Sequence, residues 1–192
     1  MKKIIGVDIA DTIVDVWPNL MEKADSFNKN YSNNIKSNNK CLYLPEDIYK
    51  WTTKETIEFW KLYRDDLTFN SPIKNGVKTT LTYLKNLKYS IWLITAKTNS
   101  DYIDLEKKII KMLTDNEIPY DKIFTQINNK GEFCKQNNIS YLVDDSYKNC
   151  LSAINNGKIG LLIDNFYNEN RIIVPNMYRI KKFEDIKKYI KR

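Results

Sequence analysis

Short apolar runs that stop on an aspartate or a threonine recur along this chain: KIIGVD (3–8), YSIWLIT (89–95), SYLVDD (140–145) and IGLLID (159–164). Each is too short and too rich in β-branched residues for a helix and is read as a buried strand. KIFT (122–125) and RIIVP (171–175) predict two more strands. Between the runs the period changes. Val77, Leu81, Leu84 and Leu87 recur at helical spacing, and helices are expected near 101–115 and 130–137. FEDIKKYIKR (183–192) places Phe183, Ile186 and Ile190 on one helical face. Strands alternating with helices imply an α/β fold, a parallel sheet with helices on both sides. In such sheets ligands gather beyond the carboxyl ends of the strands. Asp8, Thr95, Asp144 and Asp145 occupy those ends.

Residues 17–72 follow another pattern. NKNYSNNIKSNNK (28–40) is polar low-complexity sequence and predicts a mobile loop. PEDIYKWTTKETIEFWKLYRDDL (45–67) is helix-like, with Trp51, Ile57, Trp60 and Tyr63 approximating one apolar face. Thr53, followed by KET and IEFW, reads as a helix start. SPIKNG (71–76) carries turn chemistry and returns the chain to the strand–helix alternation.

Composition narrows the chemistry. Hydrophobic residues are 42% of the 192, and no apolar run approaches the roughly 20 residues that cross a bilayer. The start, MKKIIGVDIAD, has two lysines, but Asp8 interrupts its apolar stretch and no cleavage-type sequence follows, so no signal peptide is expected. Cys41, Cys134 and Cys150 are odd in number and lack CxxC spacing. That argues against a disulfide framework or a zinc site and for a reducing, cytoplasmic setting. The net charge of +7 comes from scattered lysines rather than a stripe, so nucleic acid is not the expected partner. There is no histidine. Ser-His-Asp triads, Cys-His dyads and His-held metals are therefore excluded, leaving carboxylates, lysines, hydroxyls or an oxygen-ligated metal.

Singly, each strand-end residue is more simply a turn former, a cap or a solvated group. Together they make an ordered set on one sheet: strand–Asp8-x-x-x-Thr12, strand–Thr95, Lys130, then strand–Asp144–Asp145. With VDIADT, WLITAK, NNKGEF and YLVDDS as its four motifs, the chain resembles the haloacid dehalogenase (HAD) superfamily over nearly its whole length. Within that superfamily it is most similar to the 5'(3')-deoxyribonucleotidase-type phosphatases. The similarity lies in its size, a helical cap between the first and second motifs, the approach SPIKNGVKTTLTYLKNL and the DDS ending. The implied architecture is a Rossmann-like HAD core, residues 1–16 and 73–192, with a small helical cap, 17–72, inserted after the first strand.

The resemblance implies roles. Asp8 is the nucleophile that forms an aspartyl-phosphate. Mg²⁺ is held by Asp8, the backbone carbonyl of Ala10 and Asp144, with Asp145 beside them as a ligand or orienting a bound water or Lys130. Thr95, Ala96 and the N–H groups that follow cradle phosphate, and Lys97 adds a point charge. Lys130 holds phosphoryl oxygens and keeps Asp8 ionised, with Lys135 as its competitor.

Ala10 departs from the pattern. Similar phosphatases carry a second aspartate there, the general acid and base, whose help is worth about 10²–10⁴ in rate. Asp11 is expected to point away unless the strand bends. The alanine fits a made substitution, a natural loss, or a chemistry that does not need the acid. Phosphonoacetaldehyde hydrolase-like proteins have that chemistry, with a cap lysine such as Lys50, Lys54 or Lys61 forming a Schiff base. The cap aromatics are read mainly as cap core, with Trp17 and Pro18 placed to line a nucleobase pocket. The expected activity is a Mg²⁺-dependent phosphatase acting on small phosphomonoesters, (deoxy)nucleoside monophosphates first, impaired by Ala10. Its rivals are a catalytically silent nucleotide-binding protein and a nucleic-acid end phosphatase. The expected partner is a small phosphorylated substrate, with no membrane and a homodimer left open.

Overall fold

The computed structural model describes residues 3–39 and 42–190. Cys41, the two-residue start of the chain and the last two residues of the expected closing helix lie outside the described residues. The chain divides into two compact units, one running to Val14 and resuming at Ile73, the other Asp15–Pro72.

The first unit is built on six parallel strands in the order β3-β2-β1-β4-β5-β6. They are β1 Ile4–Val7, β2 Ser90–Ile94, β3 Lys122–Phe124, β4 Tyr141–Asp144, β5 Ile159–Ile163 and β6 Met177–Ile180. The helices, in chain order, are α1 Val16–Phe27, α2 Pro45–Tyr49, α3 Thr53–Phe69, α4 Val77–Asn86, α5 Leu105–Asp115, α6 Lys130–Gln136, α7 Tyr147–Asn155 and α8 Ile186–Tyr189. The first three belong to the second unit. Helices flank the sheet, so its four inner strands are mostly apolar rather than alternating, while the edge strands β3 and β6 each carry a basic residue. Every residue of β2 and β4 is buried. Burying one such Ile, Leu or Val contributes about 1.5–3 kcal/mol. β1 lies between β2 and β4, with Val7 level with Leu93 on one side and Val143 on the other. The strand order reverses across β1, the topological switch point at which open α/β sheets form their crevice.

Two expectations for this unit fail locally. RIIVP is not a strand, and Ile172 and Ile173 are exposed. Pro175 has no N–H for a ladder, and Asn176 takes a left-handed turn at φ 65° before β6 begins at Met177. The closing helix is a 3₁₀ turn, Phe183–Asp185, running into the short α8, although Phe183, Ile186 and Ile190 are buried as the spacing required.

The second unit packs α1–α3 around Leu20, Phe27, Tyr49, Trp51, Phe59 and Leu67. The helix-like 45–67 stretch is broken in two. Lys50 adopts a left-handed conformation that ends α2, and Thr52, one residue before the expected start, caps α3. Thr52 Oγ1 accepts from the Glu55 N–H while the Glu55 carboxylate takes the Thr52 N–H, so two orphan donors are satisfied reciprocally. Phe59, not Ile57, leads the apolar face, and Ile57 is exposed. The start of the polar low-complexity run is ordered. Asn28–Ser32 form a π-helical turn, with buried Asn28 accepting from Trp51 Nε1 at 3.0 Å and donating to the Asn34 carbonyl at 2.8 Å. Among the described residues no helix is long and apolar enough to cross a membrane.

Candidate active site

The site grows from the carboxyl ends of β1, β2 and β4. The Asp8 N–H donates to the Val143 carbonyl at 2.9 Å, which extends the β1–β4 ladder by one residue and brings Asp8 alongside the end of β4. Asp144 is the last residue of that strand and is fully buried. Lys130 opens α6, where Asn129 caps the helix by accepting from the Glu132 N–H. Gly131 lets α6 come this close to α7, because a Cβ there would meet the Ser152 backbone at 2.4 Å.

These placements bring three side chains to one point. The Lys130 ammonium donates to Asp8 Oδ1 and, at 2.7 Å, to Asp144 Oδ2. Lys130 is only 3% exposed and Asp8 6%. Lys135 is exposed on the next turn, and of the two lysines it is Lys130 that meets Asp8 and Asp144. Asp144 also accepts the Ser146 N–H at 2.9 Å and the Asn149 amide at 3.0 Å.

The electrostatics follow from burial. Desolvation alone would lower the Lys130 pKa, but the charges of Asp8 and Asp144 outweigh it and hold the ammonium firmly protonated. Desolvation is also the largest influence on Asp144 and lifts its carboxyl to about 6 despite Lys130. Asp145 is pushed well above the usual carboxylate range, by burial first and then by the charges of Asp144 and Asp8.

Asp145 lies apart from this triad's hydrogen bonds. Its carboxylate accepts from Thr12 Oγ1 at 3.3 Å and from the Tyr167 hydroxyl, and its own N–H donates back to Thr12 Oγ1 at 3.1 Å. Thr12 thus laces the exit of β1 to the exit of β4. Thr95 is buried just past β2, where its Oγ1 accepts the Lys97 N–H at 3.2 Å. Ala96 is exposed, and the Lys97 ammonium lies over the Tyr102 ring, donating to its hydroxyl at 2.9 Å. Trp17 is half-buried against the apolar core of the Asp15–Pro72 unit, and Pro18 is exposed.

The stretch around Ala10 is not an extended continuation of β1. The strand stops at Val7, the Ile13 N–H closes a turn onto the Ile9 carbonyl at 2.9 Å, and Asp11 sits at φ 52°. The chain therefore bends at Asp11, the condition under which that carboxylate need not point away.

Two buried carboxylates within hydrogen-bond reach of one ammonium, with a third beside them, leave an excess of negative charge. That donor set fits a small, hard, oxygen-seeking cation. Among the described residues no three Asp, Glu, His or Cys side chains form a metal-holding group. A cation here would rest on two carboxylates and complete its shell with a backbone carbonyl and water, as Mg²⁺ characteristically does.

Several residues of the site went unread in the sequence: Asn149, Tyr102, Tyr167, Asn165 and Asn168. The strand-end rule that picked out Asp8 and Asp144, applied equally to the residues after β5, would have pointed to the last three. Nothing in the local sequence marks Asn149 or Tyr102.

No family model matches the chain, and no curated relative matches its sequence. Solved structures do match. A phosphoglycolate phosphatase predicted from Haemophilus somnus 129PT superposes at a TM-score of 0.67 with 19% identity, over 97% of both chains. A predicted phosphatase from Clostridium acetobutylicum gives 0.66 at 13%, over 98% of both. The magnesium-bound HAD hydrolase YfnB from Bacillus subtilis gives 0.64 at 13%, again over 98% of both. The fold is the HAD fold. In it, β1 and β4 are the central strands that present Asp8 and Asp144, and the Asp15–Pro72 unit is an insertion that follows β1.

Proposed function

We propose that this chain is built as a Mg²⁺-dependent phosphomonoesterase that forms an aspartyl-phosphate on Asp8, with Ala10 suppressing its turnover. The observation that supports this reading is the buried Asp8–Lys130–Asp144 triad at the switch point of a HAD-fold sheet. The names of the matched phosphatases agree with it.

In this reading Asp8 attacks phosphorus, a new P–O bond forms, and the ester P–O bond breaks to release an alkoxide. Lys130 offsets the charge of the transferring phosphoryl group. Thr95 and the N–H groups after it receive phosphoryl oxygens, and Lys97 supplies a further positive charge. Asp8, Asp144 and the Ala10 carbonyl would hold the metal, which when bound neutralises the approach of one anion to another. Water then attacks the aspartyl-phosphate to give inorganic phosphate and free Asp8. Ala10 cannot protonate the alkoxide or activate that water, so both steps lack the group that similar phosphatases place there. Lys50, Lys54 and Lys61 are all exposed, so none sits in the apolar pocket that activates a Schiff-base lysine.

The preferred substrate class is (deoxy)nucleoside monophosphates. It rests on the resemblance and on the aromatic richness of the insert, where one stacked base would contribute about 1–3 kcal/mol. A catalytically silent phosphoryl-ligand binder is the second reading, and Ala10 itself favours it.

One experiment separates the two. Hydrolysis of deoxynucleoside monophosphates and p-nitrophenyl phosphate is measured with Mg²⁺ for this chain and for Ala10→Asp. The expected gain in kcat for Ala10→Asp is about 10²–10⁴. If neither protein turns over any ester while both bind nucleotide, the enzyme reading is wrong and the binder reading stands.

A further inference from the structure

Residues 164–171, which follow β5, carry none of the four motifs, yet they grip the site from two sides. Asn168 is 2% exposed, and its amide donates to the Asp145 carbonyl and to the Ile163 carbonyl, both at 2.8 Å. Arg179, on β6, anchors it by donating to Asn168 Oδ1 at 2.9 Å and to the Asn168 carbonyl at 3.0 Å. Asn165 divides its two amide protons between the Asp11 carbonyl at 3.2 Å and the Tyr167 hydroxyl at 3.0 Å, while its oxygen accepts from Lys74 at 3.0 Å. A hydroxyl that accepts from Asn165 has its own proton free to donate, and Tyr167 gives it to Asp145 Oδ2.

The consequence concerns Lys130. Its ammonium has three N–H donors, two of them committed to Asp8 and Asp144. Asp145 is a third, half-buried carboxylate whose hydrogen bonds come from hydroxyls rather than from that ammonium. Without the tyrosine proton, Asp145 Oδ2 loses its donor and the hold of Asp145 on Thr12 loosens, and with it the turn that sets Asp8 against Lys130. The same network holds the Asp8–Thr12 turn, through Asp11 and Thr12, in register with β4.

We infer that Tyr167 is a positioning residue: it holds Asp145 on Thr12 and, with Asn165, keeps Lys130 shared between Asp8 and Asp144. This rests on the proposed function only where the metal serves as a readout.

The test uses Tyr167→Phe, with Asn165→Ala as a second variant should the first not fold. In metal-free protein labelled with ¹⁵N-lysine, the Lys130 ammonium resonance is expected to move in both variants. Manganese binding, followed by the EPR signal of free Mn²⁺, is expected to weaken about 10–100-fold, as when an outer partner of a metal ligand is removed. A role confined to stability would lower the unfolding midpoint and leave both readouts unchanged. A folded variant with an unmoved Lys130 resonance and Mn²⁺ affinity within about twofold of the parent overturns the inference. If the parent itself binds no Mn²⁺, the metal reading fails separately, and the Lys130 resonance alone decides the role of Tyr167.

Discussion

Replacing Lys130 by methionine keeps most of the volume of the lysine stem and removes the charge. Lys130 is 3% exposed, so solvent screening offers little relief to the carboxylates it leaves. Removing one partner of a buried ion pair typically costs 3–5 kcal/mol, because a charge stays desolvated without a counter-ion. Here one ammonium serves two carboxylates, but the losses do not double. Asp144 keeps the Ser146 N–H and the Asn149 amide. It can also take up a proton: its carboxyl stands at about 6 even while Lys130 lowers it, so neutralising it in the variant at pH 7.5 costs less than about 2 kcal/mol. The expected loss for Lys130→Met is therefore about 3–4 kcal/mol at pH 7.5, shrinking at pH 5.5, where protonation is nearly free. The assay is urea unfolding followed by far-UV circular dichroism in EDTA. Lys135→Met, exposed on the same helix, is the control and should fall within about 0.5 kcal/mol of the parent. Equal midpoints for the two variants would show that the ammonium does not neutralise the buried carboxylates, and the account of the site would collapse with it.

Burial lifts the Asp144 carboxyl to about 6, against about 3.9 in an unfolded chain. Between about pH 4 and 6 the folded protein keeps a proton that the unfolded chain has released, so this group's contribution to stability falls as pH rises through that window and is level above it. Asp144→Asn should remove that slope, gaining on the parent in metal-free urea midpoints from pH 4 to 6; parallel curves would contradict the assigned burial. Gly131→Ala, which places a Cβ 2.4 Å from the Ser152 backbone, should cost about 1–3 kcal/mol by forcing α6 and α7 apart. It should also reduce Mg²⁺ affinity by displacing Lys130, and an unchanged unfolding midpoint would show that the helices yield freely.

The strand ends were legible in the sequence because a strand buried on both faces must be apolar, and a charged residue closing it is therefore conspicuous. Asp8, Thr95 and Asp144 were found this way, and Lys130 by motif order. Elements that end by local backbone chemistry were harder to place. Lys50 breaks one apparent helix into two through a left-handed residue that composition does not advertise, and Asn176 moves β6 past the apolar run that looked like its strand. Ile172 shows the limit of hydrophobicity as a guide, since it lies 80% exposed.

Sequence pattern alone specified a parallel α/β sheet and the strand-end carboxylates, because each depends on residues close together in the chain. Only the folded chain decided that one lysine bridges Asp8 and Asp144, that Asp145 is claimed by Thr12 and Tyr167, and that the segment after β5 belongs to the site. Those partners come from strands and loops far apart in sequence. Hydrogen bonding and ion pairing act over a few ångströms, so such pairings exist only once sheet register and helix packing have brought the groups within reach.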